Sequence, residues 1–253
     1  MEDVVKFDTY ESGLAVITLN RPDKRNAISK KVVNELETHL TTLENKKDIK
    51  LLVITGEGDT AFCAGGDLKE FHGELSADEA YQLLKPMKEV LYRIATLPFL
   101  TLAWMNGSAR GGGMELATAC DFRFATRSGN YGFVQGQLGI STGWGGGTLL
   151  SERIHPQTAY YWLVESEVKT VDELISSGFV QKEIQGNFTP HAEEISMFLS
   201  RSLEQLYGWK KQRLSRNSLE ILAHTMEEEV KSCSKLWESE AHIEAVNRFF
   251  AKK

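Results

Sequence analysis

The residues best suited to chemistry lie in one stretch, Asn106-Gly-Ser-Ala-Arg-Gly-Gly-Gly-Met-Glu-Leu-Ala-Thr-Ala-Cys-Asp121. Three adjacent glycines leave backbone N–H groups uncovered by side chains and tolerate a tight turn. An apolar, strand-like run from Phe99 to Met105 precedes them, and a helix-like run follows. A helix that starts at such a turn directs unpaired N–H groups, and the positive end of its dipole, at whatever lies in front. Glu115, a short distance in, projects near the same spot. N–H donors beside a carboxylate suit a developing oxyanion. The same glycines also suit a turn that only lets a strand pack closely on a helix. Two nucleotide readings are excluded, because no Gly-Lys-Ser/Thr follows the glycines and their spacing misses G-x-G-x-x-G.

The elements that must position this stretch read as an alternation of strands and helices. Leu14 to Leu19 is a strand ending at the turn Asn20-Arg-Pro-Asp23. Ser29 caps a helix through about Asn45, with apolar positions at Val32, Val33, Leu36 and Leu40. Leu51 to Thr55 is a continuous apolar strand of the kind buried on both faces. It leads into a second glycine loop, Phe62-Cys-Ala-Gly-Gly-Asp-Leu68. Residues 76–97 are helical, with Pro86 marking a kink or break. After Phe99–Met105 and the central turn come the strand Phe122–Ala125, the segment Tyr131-Gly-Phe-Val-Gln135 and the glycine cluster Gly143–Gly147. Helices are expected near 191–208 and 215–239. The rhythm predicts an α/β core over residues 1–190 with a parallel sheet, and a helical region over 191–253 appended to it. In such a sheet both glycine loops lie at one edge, where ligands bind.

Composition narrows the function classes. At 42% hydrophobic and 25% charged, the 253-residue chain is globular. A formal net charge of −6 without a basic block argues against a nucleic-acid partner. No apolar run approaches membrane-spanning length, and the acidic Met-Glu-Asp start does not read as a signal peptide. Cys63, Cys120 and Cys233, with no close pairing, suggest reduced thiols and a cytoplasmic location. Scattered histidines and the lack of Cys-x-x-Cys predict no metal site. Cys63 sits beside a glycine loop but has no histidine near it in sequence, so a small buried thiol is expected. Asp121 suits a structural hydrogen bond, and Glu70 and His72 lie in a polar segment that could border a pocket.

Phe62-Cys-Ala-Gly-Gly-Asp-Leu-Lys-Glu70 resembles the A-G-x-D-I/L-K-E segment of the crotonase superfamily, the enoyl-CoA hydratase/isomerase family. Asn106-Gly through Gly-Gly-Gly-Met-Glu-Leu resembles its N-G-x-x-x-G-G-G-x-E-L segment. Leu19-Asn-Arg-Pro, Asn26-Ala27, Leu138-Gly139 and Ser177-Gly-Phe-Val180 match in order as well. The resemblance implies a spiral of ββα units with a C-terminal helical trimerisation region, and a homotrimer or hexamer. It implies an acyl-CoA thioester substrate, with coenzyme A part of the substrate and no separate cofactor. It places the oxyanion hole at the N–H groups of Gly66 and Gly112, and a catalytic glutamate at Glu115. It lays coenzyme A along Lys24, Arg25 and Ala27 and along Ala64, Gly65, Asp67 and Leu68, with Lys24 or Arg25 facing phosphate.

One departure bears on the reaction. Hydratases of the family carry a second glutamate in a segment like F-G-x-P-E, which aligns with Tyr131–Gln135. Gln135 can orient a water but cannot act as an acid or base near neutral pH, and hydration uses two carboxylates. An oxyanion hole with one acid or base suffices to decarboxylate a malonyl-type thioester or to shift a double bond. Cys120-Asp-Phe-Arg123, and Gly139-Ile140 before Trp144-Gly-Gly, are similar to the ethylmalonyl-CoA decarboxylases of the superfamily. Three readings follow: a hydratase/isomerase-type enzyme working through an enolate, an ethylmalonyl- or methylmalonyl-type decarboxylase, and an acyl-CoA-binding protein without catalysis.

Overall fold

The computed structural model describes residues 3–67, 70, 75–215 and 218–251. A six-stranded sheet runs in the order β1 (Val5–Thr9), β2 (Leu14–Leu19), β3 (Leu51–Gly56), β5 (Leu100–Met105), β7 (Phe122–Thr126) and β9 (Lys182–Ile184). β1 pairs antiparallel with β2, and every later pairing is parallel. A smaller parallel sheet joins β4 (Ala61–Cys63), β6 (Ser108–Arg110) and β8 (Tyr131–Gly132). Each turn of the chain thus delivers one strand to the large sheet and the next to the small one. Helices α1 (Lys30–Glu44), α2 (Ala77–Thr96) and α3 (Gly112–Ala119) return the chain between strands of the large sheet, and α4 (Gly146–Ser151), α5 (Pro156–Glu165) and α6 (Val171–Ser176) lie between β8 and β9. The result is the spiral of ββα units that the family resemblance implies.

The strands of the large sheet are covered on both faces. On β3, Leu52 and Ile54 enter one core while Leu51 and Val53 enter the other, which accounts for the unbroken apolar run. The second face is closed by Ile195, Phe198 and Leu206, from α7 (Glu193–Leu199) and α8 (Leu203–Leu214). The expected single helix over 191–208 is therefore two. Ser202 starts the second with a capping box to Gln205, a local stop-and-restart signal that outweighs the continuous apolar spacing. The later helix begins at Leu219 behind a Ser218 cap and runs to Leu236 as α9. Met226, Val230, Cys233 and Trp237 place it in the main core, so α7 and α8 contribute to one core and α9 to the other.

Pro86 does not break α2. The helix runs from a Ser76–Glu79 capping box to Thr96, with Leu84, Met87, Val90, Leu91 and Ile94 buried. Packing of both halves into one core offsets the hydrogen bond that proline removes. No helix among the described residues is long and apolar enough to cross a membrane.

Asp121 ties the second layer to the sheet. Its carboxylate accepts from the Thr101 N–H at 3.0 Å and the Thr101 hydroxyl at 3.1 Å. Lys210, whose side chain is wholly buried, donates to both Asp121 oxygens at 2.7 and 2.6 Å, and Arg213 pairs with the same group. Arg123, also buried, donates to the carbonyls of Phe179, Cys120 and Asp121 and lies over the Phe179 ring. The segment Cys120–Arg123 is therefore architectural, as the reading of Asp121 anticipated.

Candidate active site

β4 and β6 lie side by side in the small sheet and end in the two glycine loops. Gly65 has φ +94°, and a Cβ there would stand 2.9 Å from the Arg110 carbonyl oxygen and 3.2 Å from the Gly112 nitrogen. A Cβ on Gly113 would lie 2.0 Å from the carbonyl oxygen of Cys63. Glycine is needed at both places because the two loops touch backbone to backbone. The loops expected from sequence to converge do so, and among the described residues neither the Gly66 nor the Gly112 N–H has an acceptor.

The loop carrying Gly66 is braced from behind by residues 21–28. Ile28 N–H donates to the Gly65 carbonyl at 2.8 Å, Asp67 N–H to Ile28 at 2.7 Å and Ala64 N–H to Arg25 at 3.0 Å. Arg21 pairs with the Asp67 carboxylate at 2.7 Å and donates to the Ala27 carbonyl at 2.6 Å. Buried Asn26 accepts from Arg21 N–H and donates to the carbonyls of Glu57 and Ala61. The match at Leu19–Ala27 is thus explained by bracing.

Glu115 stands in the first turn of α3 and is 2% exposed. Its carboxylate is unusually well held. One oxygen accepts from Gln135 Nε2 at 2.9 Å and from Gly143 N–H at 3.3 Å. The other accepts from the N–H groups of Trp144 at 2.8 Å and Gly146 at 2.9 Å. A Cβ on Gly146 would lie 2.3 Å from Glu115 Cγ, so a glycine at 146 leaves the room this side chain needs. Burial pushes the Glu115 carboxyl up to about 7, and the charge of Glu229 adds to the rise, while the three backbone N–H groups act in the opposite sense. A carboxyl near 7 can serve as acid or base at neutral pH.

Gln135 occupies the place aligned with the second glutamate. It is buried beside Glu115, and its Oε1 has no hydrogen-bond partner among the described residues. Trp144 presses its ring against Gly112, where a Cβ would come within 2.1 Å of it. A cavity of about 720 Å³ opens over these groups. Gly66, Gly112, Glu115 and Gln135 form its polar floor, and Leu84, Ile140, Trp144 and Trp237 its apolar wall. Arg25, Arg110 and Arg248 also line it.

Of the other expected ligand contacts, Arg25, Ala64 and Gly65 line the cavity, while Lys24, Ala27 and Asp67 do not. Ala27 and Asp67 belong to the bracing layer. Leu68, like His72, lies outside the described residues. Glu70 accepts from the Lys30 N–H at 2.9 Å, at the start of α1. Cys63 is buried, and burial pushes its thiol up to about 12, as it does for Cys233 in the cavity wall. Neither is a thiolate nucleophile near neutral pH.

Sequence reasoning missed the contribution of α9. Cys233 and Trp237 line the cavity. Glu229 accepts from the N–H groups of Gly147 at 3.1 Å and Thr148 at 2.7 Å and from the Thr148 hydroxyl at 2.7 Å. The signal was faint, since Glu229 closes a run of three glutamates that reads as a solvated face, although it falls three residues after Met226 on the core side.

A parallel ββα spiral that closes two glycine loops over one buried carboxylate defines a crotonase-type fold and site. The chain belongs to the enoyl-CoA hydratase/isomerase family, whose model matches residues 9–253. It is 37% identical over 175 residues to a crotonyl-CoA hydratase of Syntrophomonas wolfei, spanning 69% of this chain and 67% of that one. It is 32% identical over 201 residues to an ethylmalonyl-CoA decarboxylase of Gallus gallus, spanning 79% and 67%. The crystal structure of an enoyl-CoA hydratase/isomerase from Xanthobacter autotrophicus shares the fold, with a TM-score of 0.87 at 21% identity over 99% of this chain and 94% of that one.

Proposed function

We propose that the protein transforms an acyl-CoA thioester through an enolate held by the N–H groups of Gly66 and Gly112, with Glu115 as its single acid or base, and that the reaction is decarboxylation of a malonyl-type thioester. The observation that carries this reading is the pairing of Glu115 with a neutral amide, Gln135, at 2.9 Å. The thioester carbonyl oxygen takes up the electron pair as the bond from the α-carbon to the carboxylate breaks and carbon dioxide leaves. Two N–H donors stabilise that oxyanion. Glu115, with its carboxyl near 7, then returns a proton to the α-carbon. The ethylmalonyl-CoA decarboxylase relative supports this choice.

The same raised carboxyl, when ionised, can carry a proton between two carbons, so double-bond isomerisation is the second reading. Coenzyme A arrives with the substrate and no further cofactor is required. Arg25 at the cavity is suited to a coenzyme A phosphate. A homotrimer or hexamer in the cytoplasm completes the reading, and exposed Tyr160, Tyr161 and Val164 on one helix, Pro156–Glu165, support such a contact face.

Gln135→Glu tests the role of the amide. A carboxyl there would sit within hydrogen-bond reach of Glu115, and two such groups share one proton, leaving one as acid and the other as base. Hydration of crotonyl-CoA, followed by loss of enoyl-thioester absorbance at equal folded concentration, is expected to rise roughly a hundredfold. Efficient hydration by the wild type, with no gain in the variant, would show that Gln135 does not limit hydration.

A further inference from the structure

Two carboxylates bind successive N–H groups along one short piece of backbone. Glu115 takes those of Gly143, Trp144 and Gly146, and Glu229 takes those of Gly147 and Thr148. The first carboxylate comes from α3, beside the oxyanion glycines, and the second from α9, more than eighty residues away in sequence. At the junction between them, Gly146–Gly147, neither residue has room for a side chain. A Cβ at Gly146 would strike Glu115, and one at Gly147 would come within 2.5 Å of the Thr142 hydroxyl. Glu229 does not line the cavity, so it acts on the site through what it holds.

We propose that Glu229 is a positioning residue for Glu115: it clamps the loop that grips the Glu115 carboxylate and keeps a second negative charge beside it. The proposal rests on the role given above to Glu115 and adds the group that keeps it a proton donor. A carboxylate that accepts three backbone N–H bonds and an amide is ordinarily driven toward its ionised form. Burial and the neighbouring Glu229 charge oppose that drive here. Two titratable groups on α9 act on Glu115, Glu229 and Cys233, the latter a thiol held neutral by burial, and Arg25, Arg110 and Arg248 line the cavity into which Glu115 opens. The loop 143–146 and the turn carrying Gln135 present amides, and α2 presents Leu84 to the cavity. Glu229, which acts on Glu115 from outside the cavity, is therefore a charge whose removal should change the protonation of Glu115 without touching substrate.

The test is a carboxyl NMR titration of protein labelled with 13C at the glutamate carboxyl, with the Glu115 signal assigned by its disappearance in Glu115→Gln. In Glu229→Gln the Glu115 titration is expected to move down by about one pH unit. Decarboxylase turnover should begin to fall at a correspondingly lower pH, since the protonated form of Glu115 is the donor. A merely structural clamp would lower the melting temperature and leave the titration in place, and that result would overturn the proposal. Glu229→Ala gives the same reading should Glu229→Gln not fold. The titration needs no substrate, so an absence of acyl-CoA turnover in the wild type would overturn the functional reading while leaving this measurement to stand or fall by itself.

Discussion

Gly112→Ala is expected to lower turnover of any acyl-CoA substrate by about two to three orders of magnitude, the loss found when one oxyanion donor is misplaced. The reason is steric. A Cβ at residue 112 would lie 2.1 and 2.4 Å from two carbons of the Trp144 ring, so one of the two must move. Trp144 is 3% exposed and its own N–H holds Glu115. Movement of Trp144 disturbs the backbone N–H that holds the Glu115 carboxylate, and movement of the residue 112 backbone turns its N–H away from the proposed oxyanion position. Either displacement spoils the site, since misplacement by an ångström is enough to cost two orders of magnitude in rate. Steady-state turnover at equal folded concentration, with folding checked by circular dichroism, measures the effect. A folded Gly112→Ala protein at wild-type turnover would remove Gly112 from the oxyanion hole.

The largest effect on stability is expected at Asp121. Asp121→Ala leaves Lys210 with its side chain wholly buried and its partner gone, while Arg213, 37% exposed, can turn to water. Breaking one side of a buried ion pair typically costs about 3–5 kcal/mol. For a chain of this size that corresponds to a fall in melting temperature of roughly 10 °C. Lys210→Met added to Asp121→Ala should recover part of the loss, because it removes the stranded charge. Urea denaturation of the three proteins measures this. A loss below about 1 kcal/mol in Asp121→Ala, within the range of an exposed pair, would show that the cluster does not hold α8 to the sheet.

The parts of the site that were legible in the sequence are those that local backbone chemistry specifies. The glycines at 65 and 111–113 could be read because each needs a conformation or an approach that a side chain forbids. Glu115 was legible because it follows those glycines within one helical turn. Its environment was not. Its partners at 135, 143, 144 and 146 lie 20 to 31 residues away, and only the fold brings them together. The amphipathic spacing of Met226, Val230 and Cys233 showed that α9 packs against something, but periodicity does not say what. The helix break at Ser200–Ser202 was present as a serine three residues before Gln205, a cap signal overridden by apolar spacing. Pro86 misled in the other direction, since a local breaker yielded to a buried helix face.

The most direct test of the central claim is turnover of a panel of 2-enoyl, 3-enoyl and malonyl-type acyl-CoA thioesters, with products identified by mass spectrometry. With an oxyanion hole and one acid or base, the enzyme should release carbon dioxide from a malonyl-type thioester, leaving the saturated acyl-CoA, and should add water to 2-enoyl thioesters slowly or not at all. Rapid hydration of a 2-enoyl thioester with malonyl-type thioesters untouched would contradict the account, and binding of every thioester without product from any of them would contradict it equally.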